Sequence, residues 1–166
     1  LPEARSGLLP SREWKDRTRG LPWYPGDTVN IGIGQGDMLV TPLQLATAVS
    51  VIANRGKWVP PRMLKSGSDL IDRSTAPRLD SIELIPGPVW DLVIGAMEKV
   101  VHRGDQVYGE NGTAWAYIGQ DVDYRMAGKS GTAQVVEIKQ GEEYEAEELD
   151  ERQRKHAWFV AFAPVD

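Results

Sequence analysis

The chain has 166 residues and a net charge of −5, with 19 Lys and Arg against 24 Asp and Glu. That acidic balance argues against a general nucleic-acid binder, which carries a basic face. The absence of cysteine excludes a disulfide framework and thiol chemistry, and His102 and His156, 54 positions apart, form no metal-ligand pattern.

At 41% hydrophobic and 26% charged residues the composition is that of a globular protein, and the length predicts one domain. No apolar run approaches the roughly 18 residues of a membrane span. Leu1-Pro2-Glu3 is not a signal peptide, so any anchor or export signal is expected outside these residues.

The first 40 residues are rich in Pro, Gly and aromatics and lack a helical period. They read as a looped segment that packs its Trp rings on something else, with Trp23 and Tyr24 the most exposed of its aromatics. A helix start follows: Thr41 suits the N-cap, Pro42 the first helical position, and Gln44 completes a capping box. Leu45, Ala48, Val49 and Ile52 recur at helical spacing, and Gly56 stands where a C-terminal cap belongs. Residues 57–87 read as short strands and turns.

After Pro88 a second helix is predicted, with Val89, Leu92, Val93, Ala96 and Val100 on its core face and Gly104 ending it. Asn111-Gly112 is a turn signal. Tyr124 to about Ile138 is strand-like. Residues 137–151 carry eight acids and one base and read as a solvated connection. Ala157–Ala163 is apolar throughout, the mark of a strand buried on both faces. The two strands predict an antiparallel hairpin. A buried strand ending three residues before the last residue lacks a second neighbour, so the domain is expected to continue beyond this chain.

Lys129-Ser130-Gly131-Thr132 is the informative cluster. A cation, a hydroxyl and an accessible backbone beside a glycine suit a carboxylate held next to a reacting carbonyl. A backbone N–H past the glycine can then meet a developing oxyanion. Taken alone, the string reads first as a polar edge strand with a Gly bulge.

Its neighbours carry more. Lys129-Ser130-Gly131-Thr132-Ala133-Gln134-Val135 is followed by His156-Ala157-Trp158-Phe159-Val160-Ala161-Phe162-Ala163-Pro164. Upstream stand Gly32-Ile33-Gly34-Gln35-Gly36, Val40-Thr41-Pro42-Leu43-Gln44-Leu45-Ala46 and Ala53-Asn54-Arg55-Gly56. This ordered set resembles the transpeptidase domain of class B penicillin-binding proteins, in which a Lys-Ser/Thr-Gly box is the third motif. Arg12-Glu13-Trp14-Lys15 and Pro22-Trp23-Tyr24-Pro25-Gly26-Asp27 resemble the elongation-type branch, penicillin-binding protein 2.

The resemblance implies an α/β (α+β) fold of the penicillin-binding transpeptidase and serine β-lactamase kind, mainly antiparallel sheet flanked by helices and present only in part. It implies one partial domain over residues 1–166. None of the eight serines is followed by Lys three positions on, and no Ser-x-Asn occurs. The first two family motifs, and the final strand and helix, are therefore expected elsewhere in a longer enzyme. This chain alone is expected to be inactive.

Carried over by resemblance, Lys129 has an electrostatic catalytic role and draws in the terminal carboxylate of the donor peptide. Ser130 supplies a hydroxyl to the same carboxylate, and Gly131 leaves the strand clear for substrate. Thr132 gives a backbone N–H to the oxyanion hole, and its hydroxyl reaches the carboxylate. Substrate would lie along the strand edge, as in β-augmentation.

The remaining candidates read as structural. The Gly32, Gly34, Gly36 series lacks the phosphate-loop Lys and is taken as a tight backbone crossing. His102, near a helix end, is expected to answer the C-terminal dipole. His156 opens the last strand and has at most a minor role.

The resemblance thus implies a serine-type D,D-transpeptidase that cross-links peptidoglycan during elongation and is a target of β-lactams. No cofactor or metal is called for. A non-catalytic sensor of the same fold is the alternative, and a β-lactamase relative a weaker one. Implied partners are stem peptides and their lipid-linked precursor, β-lactam antibiotics, a membrane glycosyltransferase, elongation-complex scaffold proteins and the remaining segment of the domain. The implied location is the periplasmic face of the bacterial inner membrane, with the anchor outside this chain.

Overall fold

A computed structural model describes residues 5–61, 82, 85–104, 107, 109–133 and 150–165. The chain divides into two compact units, Leu1–Ala48 and Val49–Asp166.

The first unit is helical where a loop was expected. Helix α1 (Arg12–Arg19) is nucleated by Ser11, whose hydroxyl accepts from the Trp14 N–H at 3.1 Å, and is stopped by Gly20 in the left-handed region at φ 63°. Helix α2 (Pro25–Gly32) starts with Pro at its first position, and the Asp27 carboxylate accepts from the Tyr24 N–H at 2.7 Å. Both are short and held by their ends, so neither writes an apolar period into the sequence.

Lys15 is buried. Its Nζ lies 2.6 Å from Asp27 Oδ2 and 4.6 Å from the Tyr24 ring centroid, tying α1 to α2. The hydrogen bond from Lys15, then that from the Tyr24 N–H, hold the Asp27 carboxyl below its ordinary range. Tyr24 is exposed as expected, but Trp23 is half-buried and donates from Nε1 to Thr28 Oγ1 at 2.9 Å. Gly34 and Gly36 take φ 73° and 78° in the turn after α2. A Cβ would be unobstructed at Gly34 and would meet Asn30 Cβ at an ordinary 3.6 Å at Gly36. They serve chain reversal and not the expected tight crossing.

Helix α3 (Pro42–Ala53) forms as read. The Thr41 N–H donates to Gln44 Oε1 at 2.9 Å and the Gln44 N–H to Thr41 Oγ1 at 3.2 Å, a complete capping box. At its other end Gly56 has φ 89° and its N–H reaches the Val51 carbonyl at 2.9 Å.

In the second unit, α4 (Gly87–His102) is the central helix. Its buried face is Trp90, Ile94, Met97 and Val101, whereas Val89, Leu92 and Val93 are exposed. The expected face is therefore displaced by one residue. Apolar side chains surround much of this helix, so the sequence allows two stripes and only packing selects one.

A single π turn, Trp115–Gly119, follows on the end of α4, and then strand β1 (Ala127–Ala133) pairs antiparallel with β2 (His156–Phe162). The hairpin is as expected. The core joins Val49 of α3, Ile94 and Met97 of α4, Ala127 of β1 and Val165, with Ile52, Val160 and Phe162 packed against it.

Strand β2 is not buried on both faces. Trp158 and Phe159 are 39% and 38% exposed, since among the described residues β2 has one strand neighbour and one covered face. The short strands expected over 57–87, the reach of the first strand beyond 133 and the acidic connection fall largely outside the described residues.

Candidate functional site

β1 is built from small residues and depends on β2 for its shape. The register runs without interruption, with Ala127 opposite Phe162, Lys129 opposite Val160, Ser130 opposite Phe159, Gly131 opposite Trp158 and Thr132 opposite Ala157. Gly131 is thus no bulge, which removes that structural reading of the motif. Gly128 is needed for packing: a Cβ there would lie 2.5 Å from Phe159 Cζ. At Gly131, by contrast, an added Cβ would meet nothing within 4 Å.

The entry to β1 is held by α4. Arg125 donates from Nε to Glu98 Oε1 at 2.5 Å and from a terminal guanidinium nitrogen to Oε2 at 2.7 Å. One turn further on, His102 Nε2 accepts from the Met126 N–H at 2.9 Å. Through this contact His102, at the end of α4, anchors the entry to the strand. The Val165 N–H completes the clamp on the Arg125 carbonyl at 3.1 Å.

The hydrogen bonds from Arg125 hold the Glu98 carboxyl below its ordinary range. A depressed carboxyl contributes stability above its unfolded pKa of about 4.3, and that contribution is lost as pH falls through the lower folded value. Glu98→Gln is therefore expected to lower the melting temperature by about 2 °C at pH 7. The difference should shrink toward zero as thermal unfolding is repeated down to about pH 3.

Downstream of this clamp the motif residues stand together. Lys129 is exposed, and its Nζ donates to the Ser130 carbonyl at 2.7 Å and lies 3.5 Å from Ser130 Oγ. Thr113 Oγ1 lies 3.5 Å from Ser130 Oγ. Thr132 and Gly131 are exposed. Among the described residues no strand pairs with the second edge of β1. An ammonium, two hydroxyls and a free strand edge can hold a carboxylate and align an extended peptide.

Sequence reasoning found the strand but did not single out Thr113, which follows the Asn111-Gly112 turn signal. His156 lies opposite Ala133 at the exposed end of the hairpin, apart from Lys129 and Ser130. A cleft of about 200 Å³ lined by Asn54, Ile94 and Pro164 lies at the Phe162 end of β2, away from Thr132. Among the described residues no three His, Cys, Asp or Glu side chains are grouped to hold a metal, and no helix is long and apolar enough to cross a membrane.

The chain is similar to known proteins in sequence and fold. The family model described as the penicillin binding protein transpeptidase domain matches residues 1–166. Over its whole length the chain is 36% identical to peptidoglycan D,D-transpeptidase MrdA of Haemophilus influenzae and 39% identical to MrdA of Escherichia coli K12, spanning 25% of each. The chain thus spans about a quarter of the length of these curated relatives.

Among solved structures, PBP2 of Pseudomonas aeruginosa in complex with WCK 5153 superposes with a TM-score of 0.67 at 40% identity, over 96% of this chain and 30% of that one. PBP2 of Helicobacter pylori, in complex with MreC, gives a TM-score of 0.69 at 26% identity, over 99% of this chain and 26% of that one. The resemblance to the elongation-type branch holds in these relatives, and so does the α/β transpeptidase fold, here as helices with a two-stranded antiparallel sheet. With a family model matched from its first residue to its last, the chain belongs to the penicillin-binding protein transpeptidase domain family.

Proposed function

We propose that this chain is the Lys-Ser-Gly-Thr part of a peptidoglycan D,D-transpeptidase of the elongation type. The observation that carries the reading is Lys129, Ser130 and Thr132 on one clamped strand, with open space off its face at Gly131 and, among the described residues, no strand on its second edge.

In this reading a serine outside these residues attacks the carbonyl carbon of the penultimate D-Ala of a stem peptide. The C–N bond breaks and D-Ala leaves, its amine taking the proton that the serine gave up. A neighbouring stem amine then attacks the acyl-serine ester, and the serine regains a proton as the cross-link forms. Lys129 and the Ser130 hydroxyl hold the terminal carboxylate of the donor. The Thr132 N–H stabilises the oxyanion, and its hydroxyl reaches the carboxylate. Residues 1–166 act as a partial domain. The absence of Ser-x-x-Lys and Ser-x-Asn from the chain, together with the quarter-length match to MrdA, supports a nucleophile on the remaining segment.

Stem peptides, their lipid-linked precursor and β-lactams are the ligands this reading calls for. A scaffold protein like MreC is the proposed partner, supported by the Helicobacter pylori complex, together with a membrane glycosyltransferase. The proposed site of action is the periplasmic face of the inner membrane, with the anchor outside these residues.

Incubating the intact protein with a penicillin, followed by intact-mass and peptide mapping, tests the proposal. A penicilloyl adduct on a serine beyond residues 1–166 is expected. A protein that binds penicillin without acylation would be a sensor, and an adduct released within minutes would indicate a β-lactamase.

A further inference from the structure

The two hydroxyls of Thr113 and Ser130 stand 3.5 Å apart, beyond the 2.5–3.0 Å of a firm O–H···O bond. Neither proton is therefore well used by the other oxygen. Lys129 Nζ is also 3.5 Å from Ser130 Oγ, so a cation and a second hydroxyl both lie close to the Ser130 hydroxyl. A carboxylate offers about four lone-pair sites and can accept from all three groups.

Thr113 is held where it is from both sides. The Gly112 N–H donates to the Arg103 carbonyl at 2.8 Å, and the Ala114 N–H to the Val100 carbonyl at 2.9 Å. Ala114 is 5% exposed, locked against the end of α4. Only glycine fits at 112, because a Cβ there would collide with the carbonyl oxygens of Lys99 and Val100. Thr113 itself remains exposed. A side chain presented from so anchored a backbone keeps its place when a ligand arrives, at little ordering cost.

We propose that Thr113 is a substrate-binding residue, the third donor of the site at Lys129 and Ser130, and that its hydroxyl binds the terminal carboxylate of an acyl-D-Ala-D-Ala peptide or the carboxylate of a penicillin. The proposal rests on the transpeptidase reading and extends the site beyond β1 to the segment that follows α4.

The test uses the intact protein with Thr113→Val, Thr113→Ser and Lys129→Ala, measuring acylation by a penicillin and by its methyl ester, which lacks the charged acceptor. Thr113→Val removes the hydroxyl at nearly constant shape. It is expected to slow acylation by the penicillin about tenfold while leaving the ester's slower rate unchanged. Thr113→Ser keeps the donor and should stay within about twofold of the parent.

An unchanged penicillin rate in Thr113→Val overturns the proposal. An equal loss with penicillin and ester does so too, since it would show a distorted site and not a lost carboxylate contact. Failure of the underlying reading looks different: the parent is then not acylated, or Lys129→Ala has no effect on the penicillin rate.

Discussion

Lys129→Ala in the intact protein is expected to slow acylation by penicillin about 100-fold, with a parallel loss of cross-linking. The ammonium is exposed and lies within reach of the Ser130 hydroxyl, where an arriving carboxylate would exchange water for a charge-assisted pair. Loss of that cation leaves Ser130 and Thr113 as neutral donors only. Fold integrity should be little affected, because the Nζ spends its one firm hydrogen bond on the adjacent Ser130 carbonyl. Stopped-flow acylation with a chromogenic β-lactam reads the rate, and thermal unfolding checks the fold. An acylation rate equal to that of the parent would remove Lys129 from the mechanism.

Ile94→Ala is expected to destabilise the protein by about 3 kcal/mol. Ile94 is 4% exposed and lies in the cluster that joins Val49, Met97, Ala127 and Val165. Truncation there removes transfer energy and leaves a cavity under the first residue of β1, which a backbone pinned by Glu98 and His102 can only partly fill. Leu92, on the face that the sequence pattern favoured, is 73% exposed, and Leu92→Ala should cost under about 0.5 kcal/mol. Denaturant titration of the two variants compares them directly. A loss at Leu92 equal to that at Ile94 would show that both faces of α4 are covered in the intact protein.

Local signals were read well where one short stretch contains all the partners. The Thr41 and Gln44 capping box is such a case, since donor and acceptor lie three residues apart. The antiparallel pairing of β1 with β2 was legible from the apolar run after the motif. Helices α1 and α2 were missed because their evidence is in the caps Ser11 and Asp27 and in the Lys15–Asp27 contact, not in an apolar stripe. The displaced face of α4 has the opposite cause, a surplus of apolar residues that fits two stripes equally well.

By itself the sequence determined the chemistry offered by Lys129, Ser130, Gly131 and Thr132, the α3 helix and the family, because side-chain identity and short-range spacing are written directly in the chain. Tertiary structure alone decided that Trp90, Ile94 and Met97 face the core, that His102 and Glu98 pin the strand, and that Thr113 stands beside Ser130. The hydrogen-bonded meetings among these join residues 17 to 27 positions apart, and the core joins residues further apart still. Such contacts depend on how a helix end, a turn and a strand pack in space, and periodicity along a chain carries no record of that.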